Sequence, residues 1–441
     1  MTILNSIGFS IISFLFVLGV MIFIHELGHY AVAKFLGIRV EVFSLGFGRR
    51  LVGFKKGDTD YRICLLPLGG YVKMAGENYD DKLSGDPGEF MSHSKSNRFA
   101  VAVAGPLMNI GLALILVAAT FMLGIPVAKY SRQPAIIGSI ADGSPAQQAG
   151  LQLGDTIIAI DQESIPTWQE AELQISISPD QELLFSIKRD DNVFDQLVTT
   201  TIREGIETGT IGVGPFIPYI VADLEANTPA AKAGLQVGDE IIQVSIGKKI
   251  GKGFSSSAEL INNSEGVPLE FVIQRNKQLF ETTIAPEQIE DQWRIGTTVQ
   301  VMELEQHGVW EAFSTSAKRN YRLTTLTFDV VGRIITGRTS LKTMSGPIEI
   351  ARFSGMAASM GVVHLLNFMA LVSLQLGIFN LMPIPILDGG VIALLGIEGL
   401  MRRDISVRVK ERIFQVGFVF LILLMGIVIF NDLAKTITIF D

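Results

Sequence analysis

His25-Glu26-Leu27-Gly28-His29 closes an apolar run that begins at Ile7 and reaches Ile24 without one charged residue. About 18 such residues are enough to cross a bilayer as a helix. Residues four apart share a helix face, so the two imidazoles can reach one metal ion while Glu26 handles the proton of a bound water. Zinc makes that pattern useful, because it lowers the pKa of bound water towards neutrality. With five histidines in the chain, an HExxH arises by chance in roughly 1 of 300 such sequences. Hydrogen bonding of both histidines to backbone or headgroups is the bland alternative. It gives three ionisable groups at membrane depth no common reason to be there.

The rest of the chain fits a membrane setting. Of 441 residues 48% are hydrophobic and the mean hydropathy is +0.39, too apolar for an ordinary soluble enzyme. Ala100 to Ile125, Val362 to Met382 and Phe414 to Phe430 are also long and apolar enough to span. A secretory signal is weighed for the first run, since Ala31 and Ala33 form a small-x-small pair beyond it. Met1 to Asn5 carries no positive charge, however, and cleavage would discard His25, Glu26 and His29, so retention is expected. One cysteine, Cys64, excludes an internal disulfide and a Cys-rich zinc module. The net charge of -8, without a long basic run, argues against a nucleic-acid partner.

Short loops carry the orientation signal. Lys34, Arg39, Arg49, Arg50, Lys55, Lys56, Arg62, Lys73, Lys82, Lys95 and Arg98 lie between the first two spans, and Arg402, Arg403, Arg408, Lys410 and Arg412 between the last two. Both loops are expected in the cytoplasm, with both termini and the segment from Pro126 to Gly361 on the far side, the periplasm of a bacterium. The active site then lies towards the cytoplasmic side.

That long segment repeats itself. Ser144, Pro145, Ala146, Ala149, Gly150, Leu151, Gly154, Asp155, Ile157 and Ile158 recur as Thr228, Pro229, Ala230, Ala233, Gly234, Leu235, Gly238, Asp239, Ile241 and Ile242. The offset is about 84 residues, one small domain. Each copy reads as a short helix closed by Gly, then a turn into an Ile-rich strand. The pattern resembles the PDZ domain of bacterial proteases, which often binds a chain end or extended strand at a sheet edge. Domains that merely cap the site remain an equal reading. Val40 to Leu45 and Tyr61 to Leu66, followed by Gly69, Gly70 and Tyr71, suggest a β-hairpin or small sheet beside the membrane, or else a structural loop. Val309 to Ile335 alternates apolar residues with Lys318, Arg319, Arg322 and Arg333, as in an amphipathic helix at the membrane surface or against a periplasmic domain.

Catalytic zinc usually takes three protein ligands and a water. His93, His307 and His364 have no partner at ligand spacing. Asp388 is the better third candidate, in Asn380-Leu381-Met382-Pro383-Ile384-Pro385-Ile386-Leu387-Asp388-Gly389-Gly390. Its prolines and glycines should unwind the third span, and irregular backbone at membrane depth is tolerated only beside protein or a water-filled cavity. A proline kink with a solvated Asp is the plain alternative. A PDZ scaffold would not explain Asp388 beside a broken span, and four spans without an internal repeat match a transporter poorly.

Taken together, HExxH, the Asn380 to Gly390 run, Pro67-Leu68-Gly69-Gly70-Tyr71-Val72-Lys73-Met74 and the paired repeats resemble the site-2 protease family of intramembrane metalloproteases, of the bacterial regulator-of-sigma-E protease type with tandem PDZ domains. Gly105, Pro106 and Asn109, and Ser345 to Ile348, fit as well. The resemblance implies zinc on His25, His29 and Asp388, Glu26 as base, and Asn380 near the site, aiding substrate binding or the oxyanion. It also implies a hairpin that clamps the unwound substrate, with Gly69, Gly70 and Tyr71 in it, and PDZ domains that exclude bulky substrates. The implied substrates are single-span membrane proteins: an anti-sigma factor already trimmed once, and remnant signal peptides. Many relatives carry His after the paired glycines; here Val391 stands there.

The fold expected is therefore a polytopic α-helical membrane protein of the bacterial inner membrane, with four transmembrane helices, a membrane-associated β-hairpin or small sheet and two periplasmic PDZ-like α+β domains. Its expected segments are 1–38 (first span with HExxH), 39–98 (β region), 99–125 (second span), 126–206 and 207–290 (PDZ domains), 291–361 (linker and amphipathic helix), 362–390 (third span), 391–412 (cytoplasmic loop) and 413–441 (fourth span).

Overall fold

A computed structural model of the protein describes residues 3–77, 85–203, 208–289, 291–337 and 344–440; Lys82 lies outside them. The chain divides into two compact units, one made of residues 1–125, 306–336 and 340–441, the other of 126–305 and 337–339. Among the described residues, four helices in the first unit are long and apolar enough to cross a membrane: Ile7–Phe35, Lys95–Leu123, Val362–Leu381 and Val407–Ala434. The first belongs to one unbroken helix, Ile3–Phe35, so the apolar run and HExxH share a rigid element. Ser94 caps the second span, accepting the Asn97 N–H, as serine commonly does at a helix start.

This second span is the one the other helices gather on: it meets the first and third spans and the helices Val309–Ile335 and Asp388–Met401. Small residues let it approach the first span closely, as is usual between membrane helices.

Val309–Ile335 is helical, as expected. It packs along the second and third spans, with Ser316 Oγ donating to the Leu114 carbonyl at 2.7 Å and Gln375 Nε2 to Thr327 Oγ1 at 2.9 Å. Ala312, Ser316, Asn320 and Thr327 form a buried small and polar stripe that suits this contact, while Trp310 and Tyr321 stay exposed. Segment 391–412, expected as a loop, is mostly helix: the third span stops at Leu381, and Asp388–Met401 starts a new helix. Leu394, Leu395 and Glu398 are buried, and Lys410 pairs with Glu398 at 2.6 Å.

The hairpin is longer than the two short runs suggested. Val40–Lys56 and Thr59–Met74 fold back on themselves, so that Val42–Leu45 is flanked by Asp60–Ile63 on one side and Gly70–Lys73 on the other, while Val52–Lys55 pairs with Asp60–Ile63. Arg49, Arg50 and Lys55 interrupt the apolar pattern, which hid the strand's length. Phe47, Leu51, Val52, Phe54, Leu65 and Leu66 are exposed in the distal part.

In the second unit each repeat is a sheet with helices against it. The first orders its strands as Val213–Pro215, Ala135–Ile140, Thr156–Ile160, Glu182–Arg189 and Asn192–Thr199; the second as Thr297–Val299, Tyr219–Leu224, Glu240–Ile246, Leu269–Arg275 and Gln278–Ile284. The expected boundaries at 206/207 and 290 therefore fall too early. In each copy the closing strand pairs beside the opening one, and these short strands, Val213–Pro215 and Thr297–Val299, carry too little pattern to be assigned from sequence. The repeated Asp anchors the motif: Asp155 is bound in two-pronged fashion by Arg189, and Asp239 by Arg275 at 2.7 Å to each oxygen. That guanidinium holds the Asp239 carboxyl below the usual carboxylate range. Because the folded pKa is depressed, the pair's contribution is present above about pH 3.9 and is lost as pH falls through the folded value.

Candidate active site

One cavity of about 420 Å³ in the first unit collects most of the residues singled out from sequence: His25, Glu26, His29, Gly70, Tyr71, Asn380 and Asp388 all line it. Gly69 does not. Its backbone, at φ +122°, passes under the Phe47 ring, where a Cβ would come within 2.2 Å. Phe47 in turn stacks on Tyr71, with centroids 5.9 Å apart.

His25 Nε2 and His29 Nε2 are 3.3 Å apart, and Asp388 Oδ2 lies 3.1 Å from the first and 3.4 Å from the second. Ligand atoms bound to one tetrahedral zinc at about 2.0–2.1 Å stand about 3.3 Å from each other, so the three atoms already have the spacing of one face of that tetrahedron. His29 Nδ1 donates to the Val101 carbonyl at 2.8 Å, which leaves Nε2 of the neutral ring with its lone pair facing the carboxylate. Asp388 Oδ2 is buried and receives no hydrogen bond. Lone pairs turned on one another in a buried site call for a cation between them. Among the described residues this is the one cluster of three metal-binding side chains, and its donor set fits zinc.

The local backbone explains how the donors meet. The HExxH helix brings its two imidazoles out on one face. The second span runs so close behind that a Cβ on Gly105 would fall 2.2 Å from His29 Nε2. Asp388 is delivered by the break between helices: Met382 is extended, and Ile386 has φ +84°. Asp388 then takes the first position of the following helix, and Gly389 there is pressed against the Met382 carbonyl oxygen, 2.0 Å from where a Cβ would be. Glu26 lies beside the Val72 backbone N–H. Gly70 sits where a Cβ would touch Glu26 Cγ at 3.0 Å, so the strand segment Gly70–Lys73 borders the site.

Sequence reasoning missed Arg98, Glu398 and Lys410 as lining residues of this cavity. Glu398 was detectable as a lone acid in an otherwise apolar run. Val101 offers no such signal, because it acts through its backbone.

The fold and site define a membrane-embedded metallopeptidase, and sequence comparison agrees. The chain matches the profile "Peptidase family M50" over residues 13–424 and belongs to that family, whose members are zinc-dependent proteases. It is 33% identical to "Regulator of sigma E protease" of Salmonella typhi, over 98% of this chain and 99% of that protein. It is 32% identical to "Regulator of sigma-E protease RseP" of Escherichia coli strain K12, over 96% and 98%. Among solved structures, the PDZ domain of the SdrC-like protein of Listeria monocytogenes aligns at 22% identity, over 20% of this chain and 93% of that one, with a TM-score of 0.18.

Proposed function

We propose that this zinc metalloprotease cuts single-span membrane proteins within the bilayer, with His25, His29 and Asp388 as zinc ligands and Glu26 as general base. The observation that carries the reading is the convergence of three donor atoms within 3.1–3.4 Å of one another beside Glu26. Zinc, when bound, polarises the scissile carbonyl and makes water a competent nucleophile. Glu26 accepts the proton of the attacking water and hands it to the leaving amide nitrogen. Asn380, on the cavity wall, supplies an amide donor towards the developing oxyanion. Among the described residues no strand pairs with the outer edge of Gly70–Lys73, so an unwound substrate can add there by main-chain hydrogen bonds. Tyr71 flanks that edge, and Gly69 lets Phe47 close over it.

The proposed setting is the bacterial inner membrane, with four spans, the cation-rich loops in the cytoplasm and the two PDZ-like domains in the periplasm. An anti-sigma factor after its first cut, and remnant signal peptides, are the proposed substrates; the names of the relatives support the first. Cysteines placed at Asp195 and Arg403, each in a Cys64→Ser background, check the orientation. A thiol reagent that does not cross the inner membrane labels the first in spheroplasts and the second only after lysis; the reverse pattern refutes the topology.

Helical substrate must open before its carbonyl is reachable. A Leu→Gly change in a substrate helix at the cut removes about 1 kcal/mol of helix preference, so kcat/KM in proteoliposomes should rise about fivefold. Equal rates for a Leu-rich and a Gly-containing helix would count against the strand-addition step. Cleavage confined to soluble loops, or unaffected by zinc chelation, would sink the proposal itself.

A further inference from the structure

Both histidines at the site are met from behind by the second span, through the ring nitrogen turned away from the cavity. For His29 the partner is the Val101 carbonyl at 2.8 Å. A carbonyl only accepts, so Nδ1 carries a hydrogen, and in the neutral ring the lone pair is on Nε2. For His25 the atom placed behind Nδ1 is Nδ2 of the Asn109 side-chain amide, at 3.4 Å. Asn109 is two turns along the same helix from Val101 and is 1% exposed. Its backbone is held in turn, since Ser373 Oγ of the third span donates to the Asn109 carbonyl at 2.8 Å.

Among the described residues the Asn109 side chain has the His25 ring as its one hydrogen-bond partner, and its Oδ1 is buried without a hydrogen-bond partner. A buried amide costs stability unless something uses it. The two ends of the amide are related by half a turn about one bond. With Nδ2 towards the ring, the amide donates to Nδ1 and the imidazole hydrogen is driven onto Nε2, facing Asp388. With Oδ1 towards the ring, it accepts from Nδ1–H, and His25 presents a lone pair to the cavity as His29 does.

We infer that Asn109 is the positioning residue for His25: its side-chain oxygen accepts the Nδ1 hydrogen and fixes the tautomer in which Nε2 can bind metal. The inference rests on the reading of His25, His29 and Asp388 as zinc ligands. Outer-shell partners of this kind change metal affinity by about 10- to 100-fold when removed.

The test is zinc affinity of the full-length protein in detergent, by competition with a chromophoric chelator, together with the visible spectrum after cobalt substitution. Wild type, Asn109→Leu and Asn109→Asp are compared. Leu keeps the bulk and loses the acceptor; Asp keeps the acceptor and adds a charge. The expected result is a 10- to 100-fold weaker zinc affinity and an altered cobalt spectrum for Leu, with Asp within about threefold of wild type. A packing role predicts the opposite order, Leu tolerated and Asp disrupted, and that result overturns the inference. Equal loss in both variants also overturns it, because the acceptor would then not be what matters. If the Leu variant does not fold, the Asp result still decides, since a buried carboxylate that leaves zinc affinity intact has the imidazole as its partner. Failure of the wild type itself to bind zinc under metal-replete conditions refutes the ligand assignment on which the inference stands.

Discussion

Glu26→Gln stops cleavage of a single-span substrate, lowering turnover by about 10²- to 10⁴-fold, while zinc remains bound near the wild-type level. The substitution keeps the size of the side chain and an oxygen able to receive the Val72 N–H; what it removes is the ability to accept a proton. The contrast between readouts is the informative part. A scaffold that gathers partners through its repeats would function as before, and a transport pathway would show altered flux without any proteolysis to lose. Retained cleavage with Gln at this position would remove Glu26 from the mechanism. Loss of cleavage together with loss of zinc would instead mean that Glu26 supports the metal site.

Asp388→Ala empties the site. Two imidazoles alone fall short of the three protein ligands usual for catalytic zinc, and the loss should exceed the 10- to 100-fold typical of an outer-shell partner. Bound zinc measured in the wild type, in Asp388→Ala and in the double variant His25→Ala/His29→Ala should be near-stoichiometric in the first and fall in both others. Unchanged zinc in Asp388→Ala, with loss in the histidine variant, would return the aspartate to the role of a solvated group at a proline kink. The measurement also separates the carboxylate from Asn380 on the same cavity wall, which should leave zinc untouched when changed to Ala and lower only turnover.

The pattern of the sequence was most readable where one residue's chemistry declares its need for company. Two histidines four apart on an apolar helix require a shared partner, and an aspartate set among prolines and glycines in a hydrophobic run requires a cavity. Both could be anticipated without knowing how the helices pack. The repeat was similarly plain, since Gly150 and Gly234 sit in matching turns at positive φ and Asp155 and Asp239 each hold a matching arginine. What stayed hidden depends on packing partners. The Val309–Ile335 helix has the charge pattern of a surface helix, and only its stripe of Ala312, Ser316, Asn320 and Thr327 betrays the bundle contact. The Asp388–Met401 helix was obscured because a cluster of arginines follows it. Val101 could not be found at all, for a backbone carbonyl carries no letter of its own.

Burial is distributed very unevenly among the four long helices. The second has the largest enclosed share and the last the smallest, and the last is tied to its neighbours mainly near its ends: Lys410 to Glu398, Gly417 against Pro385, and Asp432 accepting backbone N–H groups from Gly346, Ile348 and Glu349. Distances among the three donor atoms are set by contacts to the second helix and by the break before Asp388, none of which involves the middle of the last one. Like a vice whose fixed jaw holds the gauge, the chain keeps its calibration in the second helix and not in the last. Alterations on the outer face of residues 418–430 should therefore leave zinc affinity near the wild-type value.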